Sequence, residues 1–179
     1  VEVRVDGSPS TFLRRPISIN FVDKERNELW LLVATVGEGT RMLARLREGD
    51  VLNCVLPLGN TFAPLTSPSE RVLLVGGGVG VAPLLYFGKQ IKEAGGSPVF
   101  LLGARTEADL AEVSLFEKYG KVCITGFVTN HSVLSTERFD RISTCGPKPM
   151  MMAVARYAHQ ASIPCEASLE NMMACGVGA

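Results

Sequence analysis

Histidine is scarce in this sequence, with two among 179 residues. Neither His131 nor His159 has a cysteine or carboxylate at metal-ligand spacing, and no serine–histidine–aspartate set stands out. Histidine-based metal sites and triad hydrolysis therefore find no support. Net charge is also missing: 18 basic and 18 acidic residues cancel. That removes the global field that draws a protein to nucleic acid or anionic membrane, and neither partner is expected. No apolar run approaches the roughly 18 residues of a transmembrane helix, and no secretory signal precedes the first segment. The cysteines (Cys54, Cys123, Cys145, Cys165, Cys175) are odd in number and spread out. This argues against a disulfide framework and for a reducing cytoplasm. The chain opens without Met on an apolar–polar alternation and stops on a glycine-rich turn, so part of a longer chain is expected.

What is present is ordinary globular composition, 46% hydrophobic and 20% charged, at a length that suits one large domain or two small ones. The first seventy residues favour short strands: Val1 to Val5, Ile17 to Val22, Leu29 to Val36 and Val51 to Leu56. Turn clusters separate them, as in a small β-barrel or sandwich. A helical piece, Thr40 to Leu46, puts Met42, Leu43 and Leu46 on one face. Thr66 to Glu70 reads as a linker. Beyond it, short apolar strands alternate with helices. The strands are Val72 to Val75, Val99 to Leu102, Val122 to Thr125, Arg141 to Thr144 and Cys165 to Leu169. One helix carries Leu84, Phe87, Gly88 and Ile91 on one side and ends at Ala94-Gly95-Gly96. Another, from Pro149 to Ala161, groups Val154, Tyr157, Ala158 and Ala161. Thr106 with Asp109 reads as a capping box. This alternation means βαβ units and a parallel sheet. The helix expected between Thr125 and Arg141 is weak, so that connection is irregular or a loop is missing there.

Five motifs carry chemistry. Val75-Gly76-Gly77-Gly78-Val79-Gly80-Val81-Ala82-Pro83 joins a buried strand to a helix. Glycines let a phosphate approach the amides, and the helix N-terminus favours an anion. A tight turn that needs small residues is the plainer reading. The run lacks the third glycine of Gly-x-Gly-x-x-Gly, and no acid follows the next strand at Gly103-Ala104-Arg105-Thr106, so the ordinary dehydrogenase fingerprint is a poor match. NADH against NADPH stays open. In Arg14-Arg15-Pro16-Ile17-Ser18, an arginine leads into a strand and can fork onto a phosphate, or both arginines are simply solvated. Gly37-Glu38-Gly39-Thr40 is a second glycine turn before a short helix, and suits a pyrophosphate or a plain Thr cap. Cys145-Gly146-Pro147 follows a strand end, where open α/β sheets bind ligands. Its thiol either faces a ligand or is structural. Cys175 sits in a glycine turn and is either a cluster ligand or a free thiol.

The order and spacing of Arg15-Pro16-Ile17-Ser18, Gly39-Thr40, the Gly76 to Pro83 run and Cys145-Gly146-Pro147 resemble the ferredoxin reductase-like flavoproteins. The tail, Cys165 to Glu170 followed by Met173 to Gly178, is similar to that of electron-transfer subunits of type B dihydroorotate dehydrogenases. The resemblance implies an antiparallel FAD-binding β-barrel, without its first strands, followed by a parallel-sheet nicotinamide-binding α/β domain. Residues 1–67 are expected to form the FAD-binding domain and 68–164 the NAD-binding domain. Residues 165–179 would give the last strand and the start of a [2Fe–2S] segment. By resemblance, Arg15, Pro16, Ile17 and Ser18 bind FAD, with Ser18 near the flavin ring. Leu32, Val33 and Ala34 contribute backbone, and Gly39 and Thr40 hold the pyrophosphate. Gly76, Gly77, Gly78 and Gly80, with Cys145, Gly146 and Pro147, line the NAD(H) site. Ser18 and Cys145 stand nearest the chemistry, and Cys175 is a cluster ligand. The other cluster cysteines and a longer loop after Thr125 are absent. The implied activity passes electrons between NAD(H) and an FMN-containing dihydroorotate dehydrogenase catalytic subunit, in a heterotetramer serving pyrimidine synthesis. Alternatives are a sister subunit serving a sulfide, sulfite or ferredoxin partner, and an assembly subunit with a vestigial nucleotide site.

Overall fold

The computed structural model describes residues 1–8, 10–104, 110 and 112–169. Among them the chain forms two compact units, Val1–Thr61 and Phe62–Leu169.

The first unit contains β1 (Glu2–Val3), β2 (Arg15–Pro16), β3 (Ile19–Asp23), β4 (Glu28–Leu31), the short helix α1 (Glu38–Leu43) and β5 (Cys54–Val55). β1 pairs antiparallel with both β2 and β5. Val1, Val3 and Val5 are buried, Glu2 between them is buried as well, and Arg4 is exposed, so β1 is covered on both faces at its start and alternates only beyond it. β3 and β4 form a hairpin in which the rings of Phe21 and Trp30 stand 5.1 Å apart. Asp23 closes its turn by accepting the N–H groups of Glu25 and Arg26, and Asn27 takes the positive φ of 55° that such turns need.

Apolar runs overstate strand in this unit. Leu29 to Val36 is strand only as far as Leu31, and Val51 to Leu56 only at Cys54–Val55. Val36 is 83% and Val51 88% exposed. With no sheet face to cover them, β-propensity alone does not extend the strand. α1 starts two residues earlier than expected and ends before Leu46, which is exposed. The Thr40 hydroxyl accepts the Gly37 N–H at 3.0 Å and donates to the Gly37 carbonyl at 3.1 Å, which sets the start.

The second unit contains β6 (Val72–Gly77), α2 (Ala82–Glu93), β7 (Val99–Gly103), α3 (Val113–Tyr119), β8 (Lys121–Thr125), α4 (Val133–Thr136), β9 (Arg141–Cys145), α5 (Lys148–Gln160) and β10 (Cys165–Ser168). The five strands make one parallel sheet in the order β10–β9–β6–β7–β8. Both faces are covered, so the central strands are continuous apolar runs. On one face Leu73, Val75, Leu101 and Ile142 pack with Val128, Val133, Val154 and Ala158. On the other, Phe100 meets Phe116 of α3 edge-on at 5.0 Å. A Cβ on Gly88 of α2 would overlap the Phe100 ring, so glycine sets how near α2 lies.

The inward face of α2 is as expected: Leu84, Phe87, Gly88 and Ile91 are buried. Gly95, at φ 87°, ends the helix, with the N–H of Gly96 returning to Ile91. α5 differs in one position. Ala161 lies past the last turn and is exposed, and Met151 is buried instead. Ser162 at φ 55° terminates α5, the N–H of Ile163 reaching the Ala158 carbonyl. After Thr125 the connection is irregular: a 3₁₀ turn at Val128–Asn130 and the single turn of α4, anchored by buried Val128 and Val133. The stretch read as a linker is tied down. Glu70 accepts the N–H and hydroxyl of Thr66 and pairs with Arg141 at 3.0 Å. The rings of Phe62 and Phe87 stand 5.3 Å apart, tilted by 33°. The Thr106–Asp109 capping box lies outside the described residues. No described helix is long and apolar enough to cross a membrane.

Candidate functional site

The chain runs outward from β6 through β7 to β8, then returns to place β9 on the other side of β6. The gap beyond the carboxyl ends of β6 and β9 is therefore the switch point of the sheet, where open α/β folds bind ligands. Gly76 lies beside Cys145 there. β6 extends through Gly77, a 3₁₀ turn spans Gly78–Val81, and α2 follows with Pro83 in its first turn.

The glycines of this turn have different reasons to be glycine. A Cβ on Gly76 would come within 2.8 Å of Leu84 Cδ1, and one on Gly77 within 2.6 Å of Met150 Sδ. A Cβ on Gly80 would overlap Gly146 Cα and approach Cys145 O at 2.6 Å. These three allow close packing. Gly78 alone of the four takes a positive φ, 55°, and meets open space. It is the position where a ligand can approach the backbone. The contact of Gly80 with Gly146 also brings together the N-terminal turns of the 12-residue α2 and the 13-residue α5. Two positive helix ends at one spot favour an anion. Cys145 is 1% exposed, Gly146 sits at φ 149° against Gly77, and Pro147 is exposed.

In the first unit, Arg15 and Gly39 come together. A Cβ on Gly39 would lie 3.4 Å from Arg15 Nε and 3.1 Å from Thr11 Cγ2. Gly39 is buried, and Arg15 is half-buried with no ion pair among the described residues. The two arginines of the motif are thereby distinguished. Arg14 donates to the Asn53 side chain at 2.6 Å, to the Asn53 carbonyl at 3.0 Å and to the Glu2 carbonyl at 3.3 Å, and so holds strands together. Thr11, beside Gly39, and, in the second unit, Met150, beside Gly77, are residues that no sequence pattern singled out. Ile17 pairs with Val1 through both backbone groups at 2.9 Å. Pro16 is exposed, and Ile17, Ser18, Leu32, Val33 and Ala34 are half-buried. Glu38 accepts the hydroxyls of Ser10 and Ser8, which hold its carboxyl below the usual range.

No group of three His, Cys, Asp or Glu among the described residues is arranged to hold a metal ion. His131 Nδ1 accepts the Val133 N–H, a local cap. Burial pushes the Cys123 and Cys165 thiols up, as for structural cysteines. Cys175 lies outside the described residues.

No protein-family model matches the chain. Curated relatives do. A dihydroorotate dehydrogenase B (NAD(+)) electron transfer subunit from Caldanaerobacter subterraneus subsp. tengcongensis is 40% identical over 184 residues, covering 98% of this chain and 71% of the relative. The subunit of the same name from Shouchella clausii is 39% identical, covering 100% of this chain and 72% of the relative. Among solved structures, an NADH-dependent reduced ferredoxin-NADP oxidoreductase superposes with a TM-score of 0.83 at 32% identity, over 93% of this chain and 64% of that one. A cytochrome P450 reductase from Amycolatopsis shares the fold, with a TM-score of 0.74 at 21% identity over 93% of this chain and 58% of that one. Antiparallel strands followed by a parallel five-stranded α/β unit, with relatives this similar along nearly the whole chain, place it: the chain belongs to the family of dihydroorotate dehydrogenase B (NAD(+)) electron transfer subunits.

Proposed function

We propose that this chain moves electrons between NAD(H) and a catalytic partner subunit by way of FAD, the partner interconverting dihydroorotate and orotate. The observation that carries this reading is Arg15. It is a half-buried guanidinium with no ion pair among the described residues, set beside a buried glycine where a side chain would crowd it. Such a cradle fits the diphosphate of FAD. Thr11 borders it and Thr40 fixes the turn that presents Gly39. Ser18, Leu32, Val33 and Ala34 would meet the flavin, and Gly78 with the Gly146 turn would take the nucleotide diphosphate. FAD, when bound, accepts a hydride from reduced nicotinamide and passes electrons on singly. The protein's task is then to hold and align two cofactors, which asks for no acid–base residue.

The further reading is that Cys175 supplies one thiolate to a [2Fe–2S] cluster. A plant-type site needs three more; Cys123 and Cys145 are buried within the sheet, and among the described residues no three His, Cys, Asp or Glu are grouped to hold a metal ion.

Anaerobic NADH added to the FAD-loaded protein should bleach the flavin's visible absorbance. An unbleached spectrum sinks the hydride-acceptor reading and leaves an assembly subunit. The ferredoxin-linked reductase likeness favours a second partner class. Co-purification separates the two: a partner carrying FMN and oxidising dihydroorotate supports the first reading, and one without that activity overturns it.

Arg15→Ala should weaken FAD retention roughly 10- to 100-fold, since a charge-assisted hydrogen bond contributes about 1.5–3 kcal/mol. The flavin-to-protein ratio after purification measures it. Unchanged flavin content removes Arg15 from the site.

A further inference from the structure

The amino ends of β6, β7 and β8 border a cavity of about 490 Å³, at the opposite end of the sheet from the glycine turns. One wall is the turn at residues 68–71 that leads into β6. A second is the last turn of α2 with Ser97 and Pro98, and the third is the end of α3 with Lys121. These walls are tied in place. The Arg71 N–H donates to Asp140 at 2.8 Å, and Glu70 accepts the Thr66 N–H at 2.7 Å and pairs with Arg141. A Cβ on Gly120 would overlap the Pro98 carbonyl, so glycine lets the turn between α3 and β8 close against the start of β7. The fold thus forms the cavity before any ligand arrives, at a size typical of small-molecule sites.

Its charge is one-sided. Arg71, Lys92, Lys118 and Lys121 line it, against the carboxylates of Glu70 and Glu117. Glu70 is already committed to Arg141. Arg71 and Lys121 share a single carboxylate, that of Glu137, at 2.6 and 2.7 Å, which leaves one positive charge uncompensated. Lys92 and Lys118 have no ion pair among the described residues. Each stands in the last turn of its helix, where a cation offsets about half a negative charge. That accounts for part of the two lysines. With Glu117 counted as well, the cavity keeps a positive surplus, in a chain whose net charge is zero.

An anion answers that surplus. The volume exceeds what a bare inorganic ion fills, and half-buried Tyr119 with Ser97 gives the lining aromatic and polar surface for an organic body. Lysine ammonium groups hold phosphate as point charges, and a phosphate monoester carries close to two negative charges at neutral pH. We propose that this cavity binds a small phosphate monoester, a phosphorylated sugar or nucleoside. The site is separate from the β6–β9 switch point and stands whatever binds there.

The test is calorimetric titration of the purified chain at low salt with ribose 5-phosphate, with ribose and inorganic phosphate as comparison probes. Ribose 5-phosphate should reach half-saturation below about 1 mM, and inorganic phosphate should bind several-fold more weakly. Lys92→Ala and Lys118→Ala should each weaken binding roughly 2- to 5-fold, the worth of an exposed charge pair. Glu137→Gln should tighten binding, because it frees Arg71 and Lys121 from their shared carboxylate, whereas damage to the fold would weaken it. Binding of ribose 5-phosphate weaker than that limit overturns the proposal. So does binding that neither lysine variant changes, which puts the phosphate at the glycine turns instead. Equal affinity for inorganic phosphate, or for ribose, overturns the monoester as the ligand.

Discussion

Gly80→Ala is expected to lower stability by about 3 kcal/mol or more and to abolish NADH-dependent flavin reduction. The added Cβ would meet backbone, not side chain: Gly146 Cα, Gly146 N at 2.6 Å and Cys145 O at 2.6 Å. Backbone has no alternative rotamer, so relief requires moving the first turn of α2 away from the end of β9, beyond the usual overpacking cost of about 1–3 kcal/mol. Gly78→Ala is the control. It meets no atom within 4 Å but holds φ at 55°, which costs about 1–2 kcal/mol. Denaturant unfolding with flavin reduction by NADH separates the two. A Gly80→Ala protein as stable as Gly78→Ala would mean that the turn after β6 and the turn after β9 are not in backbone contact.

Arg141→Ala is expected to cost about 3–5 kcal/mol, the penalty for leaving a buried ion without its partner. The Arg141 side chain is 8% exposed and its Nε stands 3.0 Å from Glu70, itself 11% exposed. Its Nη groups donate to the carbonyls of Ala63 at 2.7 Å and Pro64 at 3.3 Å, and Glu166 lies 3.8 Å away. Glu166 in turn accepts the Ala63 N–H. Burial pushes the Glu70 carboxyl up, but hydrogen bonds from Thr66 and the Arg141 charge more than offset it, and it titrates below its ordinary range. A carboxylate lowered on folding stabilises above its unfolded pKa, and that contribution fades as pH falls through the folded value. The gap between wild type and variant should thus be widest above the ordinary carboxylate range and narrow under acid. Unfolding curves at neutral and acidic pH measure it, and a gap independent of pH assigns the loss to packing alone.

The parallel sheet was legible because its strands are buried on both faces. Runs such as Val72 to Val75 and Val99 to Leu102 have no other place to go. The antiparallel unit was harder. Val36 and Val51 look like strand residues, but strand formation there depends on neighbours that the local pattern does not encode. At the site, the glycine run could be located but not sorted. Gly76, Gly77 and Gly80 are glycine because of Leu84, Met150 and Gly146, and two of those partners come from another element far along the chain. Arg14 and Arg15 are adjacent and chemically identical, yet Asn53 takes one of them and not the other. Glu70 looked like part of a polar linker because its partner, Arg141, lies at the start of a distant strand.

The pairing of β6 with β9 has a kinetic consequence. The residues it joins are widely separated in sequence, with β7 and β8 formed in between, so closing it is among the entropically costlier steps of folding this unit. The turn at Gly78 and the turn at Gly146 face each other only once that pairing exists. On the proposed reading, a nucleotide bound there would recognise the completed sheet and not a β6–β7–β8 intermediate. It would therefore shift the balance toward the native state by mass action, and protection by NAD(H) against proteolysis would report whether β9 has docked.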